Sequence, residues 1–456
     1  MRRFRETLYR PVAPSDEPGR LLGFVLTAVA VGMATGVMAA SFRVVLDWLT
    51  IQRHRLLVVA HGNAWAGAAF VTVVCAAAAA TAAALVHRVE PHAEGSGIPR
   101  VEAVVEGRTP PGRARILPVK YVGGLIAMGA GLALGREGPS VQMGGNIGII
   151  ASRLGRRNRY DLRILVAAGA AAGLATAFSA PIAGGVFVLE ELTKRFHPRT
   201  AVATLLASAA GFMSADVVLG GSYQVFRTAP MPDLTLAHVP AVVVVGLVTG
   251  VGGALYNSAI MRSLRIVDAS RWPREARAAL IGAFVGMVGF LGPSLIGGGD
   301  PLTQDALLGL GSTAAVIGVL AIRVVLGVIS YAAATPGGIF APMLVVGSHL
   351  GLLVGLVGQS LLPSLTPAPA SLALIGMAAF FTATVRAPIT GIVLATELTG
   401  VTNDLPPMLG ACAVAMLMAQ LMRSEPIYDA LTTRAALAAK QNASDAAAER
   451  SEGSPA

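Results

Sequence analysis

Charge is scarce in this sequence: 13% of its 456 residues are Asp, Glu, Lys or Arg, against about 25% in ordinary soluble domains. That excludes a soluble fold, and it undercuts the nucleic-acid reading that a formal net charge of +10 would otherwise invite. Aromatic residues are scarce at 5%, so packing cannot rest on large rings. The two cysteines, Cys75 and Cys412, both lie in apolar stretches and form neither a disulfide framework nor a metal motif. What the chain does contain is 54% hydrophobic residues and 53 glycines, with a mean hydropathy of +0.67. Long apolar runs rich in Ala and Gly describe a polytopic membrane protein whose helices pack closely through small residues.

The basic residues cluster between the apolar runs, as the positive-inside pattern requires. Residues 1–20 carry Arg2, Arg3, Arg5, Arg10 and Arg20, and later clusters run from Arg153 to Arg159, Lys194 to Arg199 and Arg262 to Arg277. The run Leu21 to Phe42 is longer than the roughly 7–15 residues of a signal-peptide core. It therefore reads as a true span, followed by Ala64 to Val86. Two short helices, broken near Ser179-Ala180-Pro181, fit between the second and third clusters and end at Glu190-Glu191 on the cytoplasmic boundary. One span to Leu219, an external loop through Pro240 and a return to Ile260 follow. Beyond the Arg262–Arg277 loop come Ala278 to Leu291, a turn at Gly297-Gly298-Gly299, Ala314 to Ser330, a run opened by Thr335-Pro336-Gly337-Gly338, and segments near 371–384, 386–399 and 405–422. The expected organisation is a cytoplasmic segment 1–20, a membrane domain 21–440 with halves of about 21–220 and 237–440, and a disordered cytoplasmic tail 441–456 without hydrophobic pattern. The chain is thus expected in the cell membrane, multi-pass, with both termini cytoplasmic.

The stretch that organises the rest is Gly135-Arg136-Glu137-Gly138-Pro139. A carboxylate between two apolar segments is a functional candidate, and Pro139 suits the first turn of a helix. Glu137 is therefore expected at a helix start inside the membrane, where exposed N–H groups and the helix dipole favour an anion or the carboxylate itself. In Gly95-Ser96-Gly97-Ile98-Pro99, Ser96 is a good helix cap, and the segment to Val105 is too short to cross a bilayer. Its hydroxyl could serve an anion instead of its own backbone.

The sequence also repeats. Ala180-Pro181-Ile182-Ala183-Gly184 and Ala387-Pro388-Ile389-Thr390-Gly391 align at an offset of 207, which also pairs Glu190 with Glu397. Gly135-x-x-Gly138-Pro139 and Gly338-x-x-Ala341-Pro342 align at 203. Paired Gly/Pro-interrupted segments in two halves point to the central site of a transporter; helix parity alone leaves open whether the halves are parallel or inverted.

These motifs, with a late Tyr428, resemble in order the motif set of the CLC family of chloride channels and chloride/proton exchangers, over about residues 20 to 440. The resemblance implies an all-α membrane protein of about 18 helices, many re-entrant or tilted, in two inverted-repeat halves, and a homodimer with a pore in each subunit. It implies that chloride and protons are the partners, that no cofactor is needed, and that Ser96 and Tyr428 offer hydroxyls to chloride beside the N–H groups of Ile339 and Phe340. Glu137 would be the external gate and proton acceptor and Glu191 the internal proton-transfer group, with Glu190 structural and Lys120 and Arg136 raising the potential along the path. The expected function is chloride/proton antiport. The alternative is a passive, voltage- or pH-gated chloride channel, against which Glu191 argues. An intramembrane hydrolase using Glu137 and Glu191 would lack a metal-ligand cluster or Ser/His pair in the apolar segments.

Overall fold

A backbone in lipid must satisfy its own polar groups, and the apolar runs do so by becoming helices. The computed structural model describes residues 18–221 and 226–438; residues 1–17, 222–225 and the expected tail at 441–456 lie outside the described residues. The first half runs α1 (Pro18–Ala60), α2 (Ala64–Val89), α3 (Ile98–Val105), α4 (Ile116–Gly129), α5 (Glu137–Leu154), α6 (Arg159–Phe178), α7 (Pro181–Phe187) with a π turn (Val188–Leu192), and α8 (Pro198–Leu219). The second runs α9 (Val239–Ala269), α10 (Arg274–Leu291), α11 (Asp300–Leu307), α12 (Thr313–Tyr331), α13 (Phe340–Leu361), α14 (Pro369–Val385), α15 (Pro388–Thr399) and α16 (Leu405–Leu421). A last helix, α17, covers 427–438. Seven of the described helices are long and apolar enough to cross a membrane. No strand forms among the described residues, only isolated bridges joining Gly95 to Pro336 and Gly135 to Gly338.

At the centre lie α6 and α14, buried along nearly their whole length. Both end in the same way. Ser179 (φ 54°) and Arg386 (φ 74°) adopt the left-handed conformation that closes a helix, and Ala-Pro then starts the next one. Around them α5 packs on α6, α13 on α14, α1 on α8, α2 on α10 and α9 on α16. Glycine sets the two innermost contacts: a Cβ on Gly144 would meet the Gly169 carbonyl at 2.1 Å, and one on Gly347 would meet the Gly376 carbonyl at 2.8 Å. These are the same crossing in the two halves.

The relation between the halves is visible in their contacts. Gly135 N–H donates to the Gly338 carbonyl at 2.7 Å and Gly338 N–H to that of Gly135 at 2.8 Å, an antiparallel exchange between repeat-equivalent residues. Such reciprocity places a local two-fold axis between them, as inverted halves require.

Three expectations are corrected by the structure. The first span does not stop at Phe42 but continues to Ala60, because its polar residues find partners: Arg43 donates to Ser179 Oγ at 3.2 Å and Arg53 to the carbonyls of Met128 and Gly129. The basic loop Arg262 to Arg277 is mostly helix, since α9 runs to Ala269 and α10 begins at Arg274. The third is α11, which the hydropathy pattern did not reveal.

Candidate functional site

Two glycine loops, each leading into an eight-residue helix, face the centre. In the first, Gly95 (φ 63°) and Gly97 (φ 79°) turn the chain into α3; in the second, Gly297 (φ 77°) and Gly299 (φ 93°) turn it into α11. Both read Gly-x-Gly-x-Pro, at an offset of 202, a third repeat pair that could have predicted α11. Ser96 occupies the middle of the first loop and Gly298 the middle of the second, so only the first half presents a hydroxyl. Ser96 is buried, and its Oγ accepts from Ile98 N–H at 3.3 Å. The Tyr331 side chain, unremarked in the sequence, also interacts with Ser96.

Each loop is held by one fully buried cation. Lys120 Nζ donates to the carbonyls of Ala93 (3.0 Å) and Gly95 (2.5 Å). Arg323 donates to those of Leu295 (3.0 Å), Gly297 (2.8 Å) and Gly298 (2.9 Å). Lys120 thus holds a loop in place, a role not foreseen for it. Arg136 donates to the Ala177 carbonyl and reaches Asp300 at 3.4 Å.

Glu137 is buried on the first turn of α5, with Oε2 lacking a hydrogen-bond partner. A Cβ on Gly135 would lie 2.0 Å from that oxygen and 3.1 Å from Ala341 N, which puts the carboxylate between the starts of α5 and α13. The Ala341 N–H is one of its backbone partners. Ile339 caps α13 and Phe340 opens it, both fully buried. The Phe340 ring packs against Phe178, Phe187 and Phe381, with centroids 5.4, 5.7 and 4.6 Å away. This fixes the position of a helix end whose first N–H groups have no intrahelical acceptor.

Tyr428 begins α17 fully buried, its hydroxyl unpartnered, and it feels the charges of both Glu137 and Glu191. The structure therefore gathers Ser96, Glu137, Ile339, Phe340 and Tyr428 in one buried region. Beside Glu137 opens a cavity of about 650 Å³, lined among others by Asp47, Arg53, His54, Arg136, Gly298 and Asp300.

The adjacent carboxylates Glu190 and Glu191 have separate fates, and neither is the solvated boundary charge that an isolated pair suggests. Glu190 accepts from Ile389 N–H (3.0 Å), Thr390 N–H (2.7 Å) and the Thr390 hydroxyl (2.7 Å), capping α15. Glu397 returns the contact, accepting from Ile182 N–H (2.9 Å) and Ala183 N–H (2.7 Å) to cap α7. Carboxylates at helix N-termini satisfy free N–H groups and complement the dipole. Glu191 points elsewhere: it is buried, and its Oε1 has no partner. Both carboxylates lie on the π turn Val188–Leu192, an irregularity that appears mostly at functional sites.

The family model described as voltage gated chloride channel matches residues 77–420. The H(+)/Cl(-) exchange transporter ClcA of Salmonella paratyphi A (strain ATCC 9150 / SARB42) is 33% identical over 436 residues, covering 93% of this chain and 91% of the relative; that of Salmonella typhi gives the same identity and shares. Among solved structures, a slow cyanobacterial Cl-/H+ antiporter superposes with a TM-score of 0.86 at 31% identity, covering 92% of this chain and 99% of that one. A eukaryotic CLC transporter (TM-score 0.77, 21% identity, 91% of this chain and 75% of that one) shares the fold.

Proposed function

The chain belongs to the voltage gated chloride channel (CLC) family, and from that premise we propose that it is a chloride/proton antiporter. The observation that carries this reading is the pair of buried carboxylates, Glu137 and Glu191, each with an oxygen lacking a hydrogen-bond partner, and both acting electrostatically on the buried Tyr428 hydroxyl. Chloride is large and weakly hydrated. A cage of hydroxyls and helix-end N–H groups replaces its water without a full positive charge, and the ion is then bound weakly enough to leave again. Ser96 and Tyr428 supply the hydroxyls; Ile339 and Phe340 supply N–H groups at the start of α13.

Protons need titratable groups, which no helix dipole provides. Glu137, at the same helix ends that would hold the anion, competes with chloride for them. When protonated it withdraws its charge and opens the outer site, so one side chain links the two ions. Glu191, on the other side of Tyr428, exchanges protons with the cytoplasm. The relatives named as exchangers support the coupled reading over a passive pore. In this reading, positive-inside asymmetry places the basic loops and both termini in the cytoplasm, in the cell membrane, and the halves divide at about 21–220 and 237–440.

We further infer a homodimer. Ile182 and Ile389, on the reciprocally capped helices α7 and α15, are 56% and 57% exposed, and a second copy provides the simplest cover for that face. The decisive test of function is reconstitution into liposomes: an imposed chloride gradient should drive protons uphill. Chloride flux without proton movement would establish a channel instead.

A further inference from the structure

The charges that act on Glu191 form a cluster that reaches the surface. Lys194 Nζ bonds Asp429 Oδ1 at 2.6 Å and Glu102 Oε1 at 3.3 Å. The Glu102 side chain is 1% exposed and also meets Arg108 at 3.3 Å and the Thr432 hydroxyl at 3.2 Å. Lys194 and Asp429 are 41% and 42% exposed, so one ammonium joins a buried carboxylate to a surface one. Burial acts against that ammonium, but the Asp429 bond and the charges of Glu102 and Glu191 outweigh it and hold the lysine well above its ordinary range. It stays charged at any working pH. Its backbone is left-handed, φ 49°, a conformation uncommon outside glycine.

The groups facing Glu191 are few. Glu190 shares its turn but is spent on α15. Glu102 comes from α3, which packs on the turn, Lys194 from the loop after it, and Asp429 and Tyr428 from α17. The helices α6 and α8 also pack there. Their charges at that end are Arg159, Asp161, Arg163 and Arg199, of which Asp161 and Arg199 pair with each other at 2.7 Å. Lys194 is thus the cation that acts on Glu191, and Asp429, next in sequence to Tyr428, holds it there.

We propose that Lys194 is a positioning residue for proton transfer: clamped by Asp429 and Glu102, its fixed positive charge sets how readily Glu191 holds a proton. This rests on the antiport reading, in which Glu191 passes protons. The clamp gives opposite signs for its two exposed members. Without the ammonium, Glu191 would keep its proton to higher pH; without the Asp429 charge, Lys194 would stay bonded to buried Glu102 and act on Glu191 unopposed, so that Glu191 would lose the proton sooner.

The test is chloride-driven proton flux in liposomes at symmetric pH values from 5 to 9, reading the pH at which flux falls by half as pH rises. Lys194→Met should move that midpoint up and Asp429→Asn down, each by about one pH unit. The double variant should return most of the way, and Lys194→Arg should keep the original midpoint. Chloride efflux measured in parallel reports whether each variant is folded and conducting. If Lys194→Met does not fold, Asp429→Asn and Lys194→Arg carry the test. An unmoved midpoint, or shifts of both variants in one direction, would overturn the clamp. Failure of the antiport reading is distinct, because the unaltered protein would then show no chloride-driven proton flux at any pH.

Discussion

Lys120 and Arg323 stand in equivalent places of the two halves, both fully buried, each donating to carbonyls of the glycine loop that starts a short helix. A buried cation without a carboxylate partner is costly. Here it is satisfied by backbone carbonyls of the tight turn, so cation and loop support each other. The two halves share the device and differ in what it holds: the Lys120 loop presents Ser96, while the Arg323 loop presents Gly298.

That difference makes the two cations separable. Lys120→Met should both lower stability and weaken chloride binding, because the loop carrying Ser96 loses its hold. Arg323→Met should lower stability, with a smaller effect on chloride affinity. Each carbonyl left unpaired costs about 1–3 kcal/mol. Thermal unfolding in detergent with and without chloride, together with calorimetric titration of chloride, checks both. Equal losses of affinity in the two variants would remove the distinction.

The exposed face of α7 and α15 gives a prediction about assembly. Ile182→Trp combined with Ile389→Trp puts two bulky rings on the helices that Glu190 and Glu397 cap reciprocally. The proposed dimer should shift toward monomer in light scattering, with transport retained. An unchanged mass would assign the face to lipid.

Asp404, in the turn before α16, is buried with neither carboxylate oxygen hydrogen-bonded. Burial first, and then the charge of Asp233, push it up to about 6. The sign follows by linkage. The folded state binds this proton more tightly than the unfolded chain, so the penalty is absent below about pH 4, grows as pH rises, and is complete above about pH 6. Asp404→Asn should therefore raise the unfolding temperature at pH 7.5 and leave it unchanged near pH 4. A gain that does not depend on pH would point to packing.

Much of this was legible in the sequence because membrane helices announce themselves. Apolar runs, the Ala-Pro breaks at 180–181 and 387–388, and the carboxylate at Glu137 marked both the spans and the central site. What stayed hidden were features whose meaning lies in a distant partner. Arg262 and Arg265 looked like loop because they are charged, yet they continue α9 beyond its apolar core. The helix α11 was masked by its polar sequence, although Gly297-x-Gly299-x-Pro301 repeats the pattern around Ser96. The repeat pairs Glu190 with Glu397 and so sets it apart from Glu191, without showing what it does. The partner helix, 199 residues away at Ile389, shows that Glu190 is spent as a cap.

The two carboxylates proposed to carry protons should fail differently. Glu137→Ala removes the side chain that competes with the anion at the starts of α5 and α13, so chloride should pass without a gate, without protons and without pH dependence. Glu191→Gln keeps the shape of the π turn but cannot ionise. Protons should stop while chloride still moves through a Glu137 gate that opens as pH falls, because protonation withdraws the competing charge. Both variants thus lose coupling, and only Glu137→Ala loses the pH response. The contrast needs Glu191 to lie off the anion path; the charges that act on it are those of Lys194, Asp429, Glu102 and Glu190. Paired chloride-efflux and proton-flux traces across a pH series measure it. Sustained proton pumping by Glu191→Gln would mean that protons reach Glu137 by another route.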